Sequence, residues 1–173
     1  MFQRESAPAC DEMYPIKDGR TAVNVGQICQ HNVVMVRRND DLATAARLMR
    51  EHHIGFLVVV EPSMEEAGFT PVGVLTDRDI VISVVAREAD PRMLRVGDVM
   101  TQKPITVMSD DSVGDALDQM KRIGVRRLPV VGDCGILEGV VSLDDVLTTM
   151  ARDLRSAADA ITRERAVESA LRT

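Results

Sequence analysis

The sequence has no tryptophan, one tyrosine and three phenylalanines, so aromatic residues make up only 2% of its 173 positions. Little is available to stack unpaired bases, and the core must be built from Val, Leu, Ile, Ala and Met. Positive charge is in deficit as well. The 21 Lys and Arg against 27 Asp and Glu give a net charge of −6, which counts against nucleic acid, whose phosphates need a basic footprint. No apolar run approaches a membrane span, and the opening "MFQRESAPACDEMYPIKDG" lacks the apolar core of a signal peptide. A cytoplasmic protein without a membrane partner is expected. Cys10, Cys29 and Cys134 are odd in number, widely spaced and without a CxxC, so they suggest neither a disulfide framework nor a zinc knuckle. His52-His53 reads as a solvated helix end rather than a metal site. A nucleophile–base pair and a P-loop are also missing, so no catalytic activity is expected.

What the chain does contain is a repeat. Shifted by 71 residues, Val25-Gly26 falls on Val96-Gly97, Val36 on Val107, Asp40 on Asp111, Ala45 on Ala116 and Met49 on Met120. "LVVV" at 57–60 falls on "LPVV" at 128–131. Beyond the longer loop "EPSMEEAGFTP" the shift becomes 66, and "GVLTDRDI" (73–80) aligns with "GVVSLDDV" (139–146). The chain then divides into an N-terminal arm (1–21), a first repeat (22–88), a linker (89–95), a second repeat (96–152) and a C-terminal helical extension (153–173).

Each repeat reads as β-α-β-β-α. Short strands at 33–36 and 105–107 precede "NDD" and "SDD", clusters able to cap a helix. Apolar residues at 42, 45, 46, 49 and at 113, 116, 117, 120 then follow the i, i+3, i+4, i+7 spacing of a helix packed on one face. Two hairpins are expected, 57–60 with 72–75 and 128–131 with 136–141, the second closed by "GDCG". The fold class is therefore α+β: two small sheets related by a pseudo-twofold axis, each with helices on one face, plus an extended C-terminal helix. A sheet this small is marginal alone, and two copies can cover each other.

The ordered set "VGDVMTQKPITV", "DDSVGDALDQM", "GVRRLPVV" and "GVVSLDDV", with weaker equivalents in the first copy, resembles a tandem pair of CBS domains, a Bateman module, over roughly residues 22–152. The resemblance implies a regulatory module that binds adenosine-containing ligands (AMP, ADP, ATP, NAD or S-adenosylmethionine) between the repeats. It assigns the ribose hydroxyls to Asp79 and Asp145, the phosphate surroundings to Thr76 and Ser142, and adenine to apolar backbone at 33–35 and 104–106, including Val33, Val34, Pro104 and Ile105.

Arg126 and Arg127 occupy positions where such modules often hold basic residues near phosphate. Strand alternation allows only one of them into a cleft, and the first copy has Gly55 and Phe56 there. Arg78 beside Asp79, against Asp144 beside Asp145, makes the two clefts unequal, with Lys103 before Pro104 able to offset the repulsion of a phosphate by Asp144. Thr76-x-x-Asp79 and Ser142-x-x-Asp145 are equally acceptable as helix-capping boxes. The alternative function is thus a ligand-free dimerisation or docking scaffold.

Leu143, Leu147, Met150, Leu154, Ala157 and Ile161 recur in steps of four and three, a seam suited to helix–helix packing. A homodimer is expected, together with a regulated protein that the sequence does not identify.

Overall fold

The computed structural model describes residues 23–64 and 66–171; the N-terminal arm expected at 1–21 lies outside the described residues. The chain opens with helix α1 (Val25–Ile28), fixed by a reciprocal cap in which Asn24 Oδ1 accepts from the Gln27 N–H at 3.0 Å and Gln27 Oε1 from the Asn24 N–H at 3.1 Å. Strand β1 (Met35–Arg37) follows, then helix α2 (Leu42–His52). Asp41 caps α2 by accepting from the Thr44 N–H at 2.7 Å. Strands β2 (Phe56–Pro62) and β3 (Phe69–Thr76) form the first hairpin, and helix α3 (Asp77–Ile80) leaves it through a π-helical turn at Val81–Val85.

The second half repeats the order. Helix α4 (Val96–Val99) and strands β4 (Thr101–Gln102) and β5 (Val107–Met108) lead to helix α5 (Val113–Ile123). The cap here is Ser112, one place beyond the "SDD" cluster, accepting from the Asp115 N–H at 3.1 Å. Asp111 turns back instead, its carboxylate accepting from the Met108 N–H, as Asp40 accepts from Arg37 in the first half. Helix α5 ends at Gly124, whose φ of +71° is the left-handed stop that glycine adopts without strain. Strands β6 (Arg127–Val131) and β7 (Leu137–Ser142) form the second hairpin, and helix α6 (Leu143–Leu171) completes the chain. Cys134 sits in the turn of that hairpin and is disulfide-bonded, which the odd and scattered cysteine count did not suggest.

Two sheets result, β1-β2-β3-β4 and β5-β6-β7. In each, the first strand pairs parallel with the second and the hairpin is antiparallel. Both hairpins slip register at the same place, between Val59 and Val60 and between Val130 and Val131. The mixed α/β architecture and long last helix agree with the class read from the sequence. One helix position differs: Ala46 is exposed, and Leu48 packs against the first core instead.

The repeats are laced together by exchange. The first core contains Leu42, Met49, Leu57 and Leu75, but also Val96 and Met100 from the second repeat. The second core contains Met120, Leu128 and Val141, together with Val25 and Cys29 from the first. The same hydrogen bonds hold both crossings: Val25 N–H donates to Asp111 O and Gly26 N–H to Ser109 O, while Val96 N–H donates to Asp40 O and Gly97 N–H to Arg38 O, at 2.8–2.9 Å. Each set maps onto the other by the shift of 71. Neither half closes its core without a turn of helix from the other.

Candidate functional site

The exchanged segments run beside the hairpins of the opposite half, and two clefts open along these seams. Each encloses about 240 Å³, so what separates them is chemistry rather than size.

The first cleft lies between Val33 and Val34, on the approach to β1, and the start of α6 in the other half. Its polar lining is Ser142, Asp145 and Arg127 with Gln30, Asn32 and His53, and Ile54, Phe56 and Val140 add apolar surface. Asp145 is held as a cap: Oδ2 accepts from the Ser142 N–H at 2.8 Å and from the Ser142 hydroxyl at 2.5 Å, while the Asp145 N–H donates back to Ser142 Oγ at 3.2 Å. The other oxygen, Oδ1, accepts from Gln30 Nε2 at 3.2 Å. The capping and cleft-facing roles therefore use different atoms of one carboxylate. The cap fixes the rotamer, and Oδ1 meets the exposed side chain of Gln30. Helix α6 begins at the same point and brings the positive end of its dipole to the cleft.

The second cleft is lined by Lys103, Pro104 and Ile105 with Val74, Val125 and, again, Arg127. Lys103 holds a left-handed φ of +51°, and its N–H donates to Val72 O at 3.2 Å. Thr76 and Asp79 make the same cap as their counterparts, with Oδ2 accepting from the Thr76 N–H at 2.9 Å and from its hydroxyl at 2.7 Å. They do not line this cleft. No carboxylate does, so its charge comes from Lys103 and Arg127 alone.

The structure thus brings Val33, Val34, Arg127, Ser142 and Asp145 together in one cleft and Lys103, Pro104, Ile105 and Arg127 in the other. It leaves Arg78 and Arg126 exposed and outside both. Arg126 lies just before β6 and is exposed. Sequence reasoning missed Gln30. It follows a helix of only four residues, too short to give a periodic signal, and only the 71-residue register links it to Thr101 in the other cleft.

Behind Gln30 the Cys29 thiol is buried against the second core, and burial pushes its pKa up, aided by the negative charge of Glu138. It therefore stays a neutral packing group. Among the described residues, no three His, Cys, Asp or Glu side chains cluster to hold a metal ion, and no helix is long and apolar enough to cross a membrane.

Comparison with known proteins matches the CBS domain model twice, at residues 25–86 and 96–152. An uncharacterized protein of Methanopyrus kandleri is 37% identical over 73% of this chain, and the matched stretch spans 62% of that protein's length. Hypoxic response protein 1 of Mycobacterium tuberculosis is 32% identical over 73% of this chain and 80% of its own. Among solved structures, a proposed signal-transduction protein with CBS domains from Burkholderia ambifaria superposes with a TM-score of 0.66 at 30% identity, covering 75% of this chain and 95% of that one. A CBS domain pair solved in complex with 5′-methylthioadenosine and S-adenosyl-L-methionine shares the fold, with a TM-score of 0.65 at 23% identity over 76% of this chain and 98% of that one. Two matched stretches, joined by exchanged helices into two cores, make this chain a member of the CBS domain family, built as a tandem pair.

Proposed function

We propose that this CBS pair is a regulatory module that binds an adenosine-containing ligand (AMP, ADP, ATP or NAD) in the cleft at Asp145 and passes its occupancy to a partner or to a dimer interface. The observation that carries this reading is the position of Asp145. It is held by Ser142 through one oxygen, in a cleft whose lining also includes the apolar Val33, Val34, Ile54 and Phe56. A ribose presents two adjacent hydroxyl donors, which suit a carboxylate. An adenine ring suits the Val33–Val34 wall, and a phosphate suits Arg127 at the N-terminus of α6. The adenosine compounds bound by a CBS pair of the same fold support this class of ligand.

Gln30 must release or share Oδ1 when ribose enters. Its carboxamide is also the observation that favours a scaffold, because it already satisfies the atom a ligand would use.

Calorimetric titration of the purified protein with AMP, ADP, ATP and NAD separates the two readings. A sensor binds at least one of them, and Asp145→Ala weakens that binding by about ten- to a hundredfold, the worth of hydrogen bonds to a charged acceptor. A scaffold is silent to the whole set and loses only about 1 kcal/mol of cap stability in the variant. Silence would overturn the proposal. A ligand acts as a signal only if it binds one arrangement of the molecule better than another, and the seams between the exchanged segments are where occupancy meets both halves.

A further inference from the structure

Arg127 is the residue common to the linings of both clefts. It opens strand β6 opposite Ser142, half-buried between the two halves of the molecule. Among the described residues no carboxylate lies within ion-pairing distance of it, and the ion pairs formed elsewhere involve Arg38 with Glu61 and Arg92 with Asp90. Its guanidinium is thus uncommitted. The position related to it by the repeat is Phe56, which opens β2 opposite Thr76 as Arg127 opens β6 opposite Ser142. The pseudo-twofold arrangement therefore supplies two clefts but one guanidinium. In the Asp145 cleft Arg127 is the sole Lys or Arg in the lining, and in the other it is joined only by the exposed Lys103.

We propose that the two clefts compete for Arg127, so that a phosphorylated ligand bound in one weakens the binding of a second phosphorylated ligand in the other. This rests on the reading of the Asp145 cleft as a nucleoside site and extends it to the second cleft, whose lining offers Lys103 and Arg127 to a phosphate. The planar fork of a guanidinium grips one phosphate through paired N–H donors. Once it is turned into one cleft, the other is left with Lys103 or with no cation at all. An uncharged nucleoside makes no claim on the guanidinium, so its two binding events are not coupled in this way. The coupling is a property of the phosphate, not of adenine.

The experiment is a pair of calorimetric titrations, AMP and adenosine, into wild-type protein, Arg127→Gln and Phe56→Arg, with each variant's fold checked by circular dichroism. In the wild type the two AMP affinities should lie at least about tenfold further apart than the two adenosine affinities, or the second AMP should not bind at all. Arg127→Gln should weaken the tighter AMP event and bring the AMP spacing to that of adenosine. Phe56→Arg places a second guanidinium in the Asp145 cleft, whose lining Phe56 shares, and frees Arg127 for the other cleft, so the AMP spacing should fall toward the adenosine spacing measured on the same variant. Equal spacing for the two ligands in the wild type, a single event per chain for both, or an AMP spacing that survives Arg127→Gln would overturn the competition while leaving nucleotide binding intact. Silence of the wild type to AMP and adenosine would overturn the competition, and silence to ADP, ATP and NAD as well would remove the nucleoside reading with it.

Discussion

Asp41 shows how much a single side chain settles before any ligand is considered. One carboxylate oxygen accepts from the Thr44 N–H at 2.7 Å and the other from the Thr44 hydroxyl at 2.9 Å. The first of these bonds, then the second, favours the charged form, and the carboxyl is held below its ordinary value of 3.8. A depressed folded value means that the charged cap stabilises the fold at every pH above the unfolded value. That stabilisation is lost as pH falls through the folded one. The expected outcome is that Asp41→Ala melts at a lower temperature than the wild type at pH 7. The gap should narrow steadily once the pH drops below about 3.8, the ordinary carboxyl value. Melting curves followed by circular dichroism at a series of pH values check this. A gap that persists unchanged at pH 2 would mean that the side chain acts through packing rather than charge.

At the scale of elements, the two hairpins and the helices between them were legible in the sequence, because each carries a pattern longer than its own period. The capping boxes were legible too, and Thr76 with Asp79 and Ser142 with Asp145 form as spaced. The exchange of α1 and α4 between the halves was not. Four residues hold barely one turn, so neither helix displays a face, and nothing local says which core will receive Val25 or Val96. The trace they leave is in the glycines of the repeated motif. A Cβ on Gly139 would stand 2.6 Å from Cys29 Sγ and 3.0 Å from Gln30 O, and one on Gly73 would stand 2.5 Å from Met100 Sδ and 3.0 Å from Thr101 O. In each case the neighbour belongs to the segment arriving from the other repeat. Gly139→Ala is therefore expected to destabilise the protein by about 1–3 kcal/mol through overpacking. Gly114→Ala on α5 is the contrast, because its Cβ would meet only Ser112 Oγ, at 3.6 Å. There the loss of a flexible residue from a helix should gain about 0.5–1 kcal/mol. Urea unfolding of the two variants beside the wild type reads both signs. Equal effects would mean that the crossing segments yield easily and do not clamp the halves.

For the whole molecule, the exchange accounts for the two cores, and among the described residues it leaves apolar side chains exposed along the last helix of each half. Leu147, Met150, Leu154 and Ile161 are 49–71% exposed along α6, and Val81, Ile82 and Val85 are 49–68% exposed on the related helix of the first repeat. The repeat register of 66 sets Val81 on Leu147, both exposed, but it sets the exposed Met150 on Val84, which is buried in the first core, so the two exposed stripes overlap only in part. The halves part company after that point. The first chain segment turns away past Val85, whereas α6 continues as a helix of 29 residues, about 43 Å long at 1.5 Å per residue. A stripe in steps of four and three on such a helix suits a second helix of the same kind, which is why the homodimer proposed as a route for transmitting occupancy is placed here rather than at a sheet edge. Leu154 and Ile161 contribute to neither core. Replacing both by aspartate should therefore leave the melting behaviour of the monomer nearly intact while putting like charges into a helix–helix seam. Light scattering after gel filtration is expected to give twice the chain mass for the wild type and the single chain mass for the Leu154→Asp, Ile161→Asp variant, with an unchanged far-ultraviolet spectrum. A wild type that runs as a monomer at tens of micromolar would remove α6 as the dimer interface. A variant that still dimerises would move the contact to Val81, Ile82 and Val85, where the seam is shorter and the C-terminal extension plays no part.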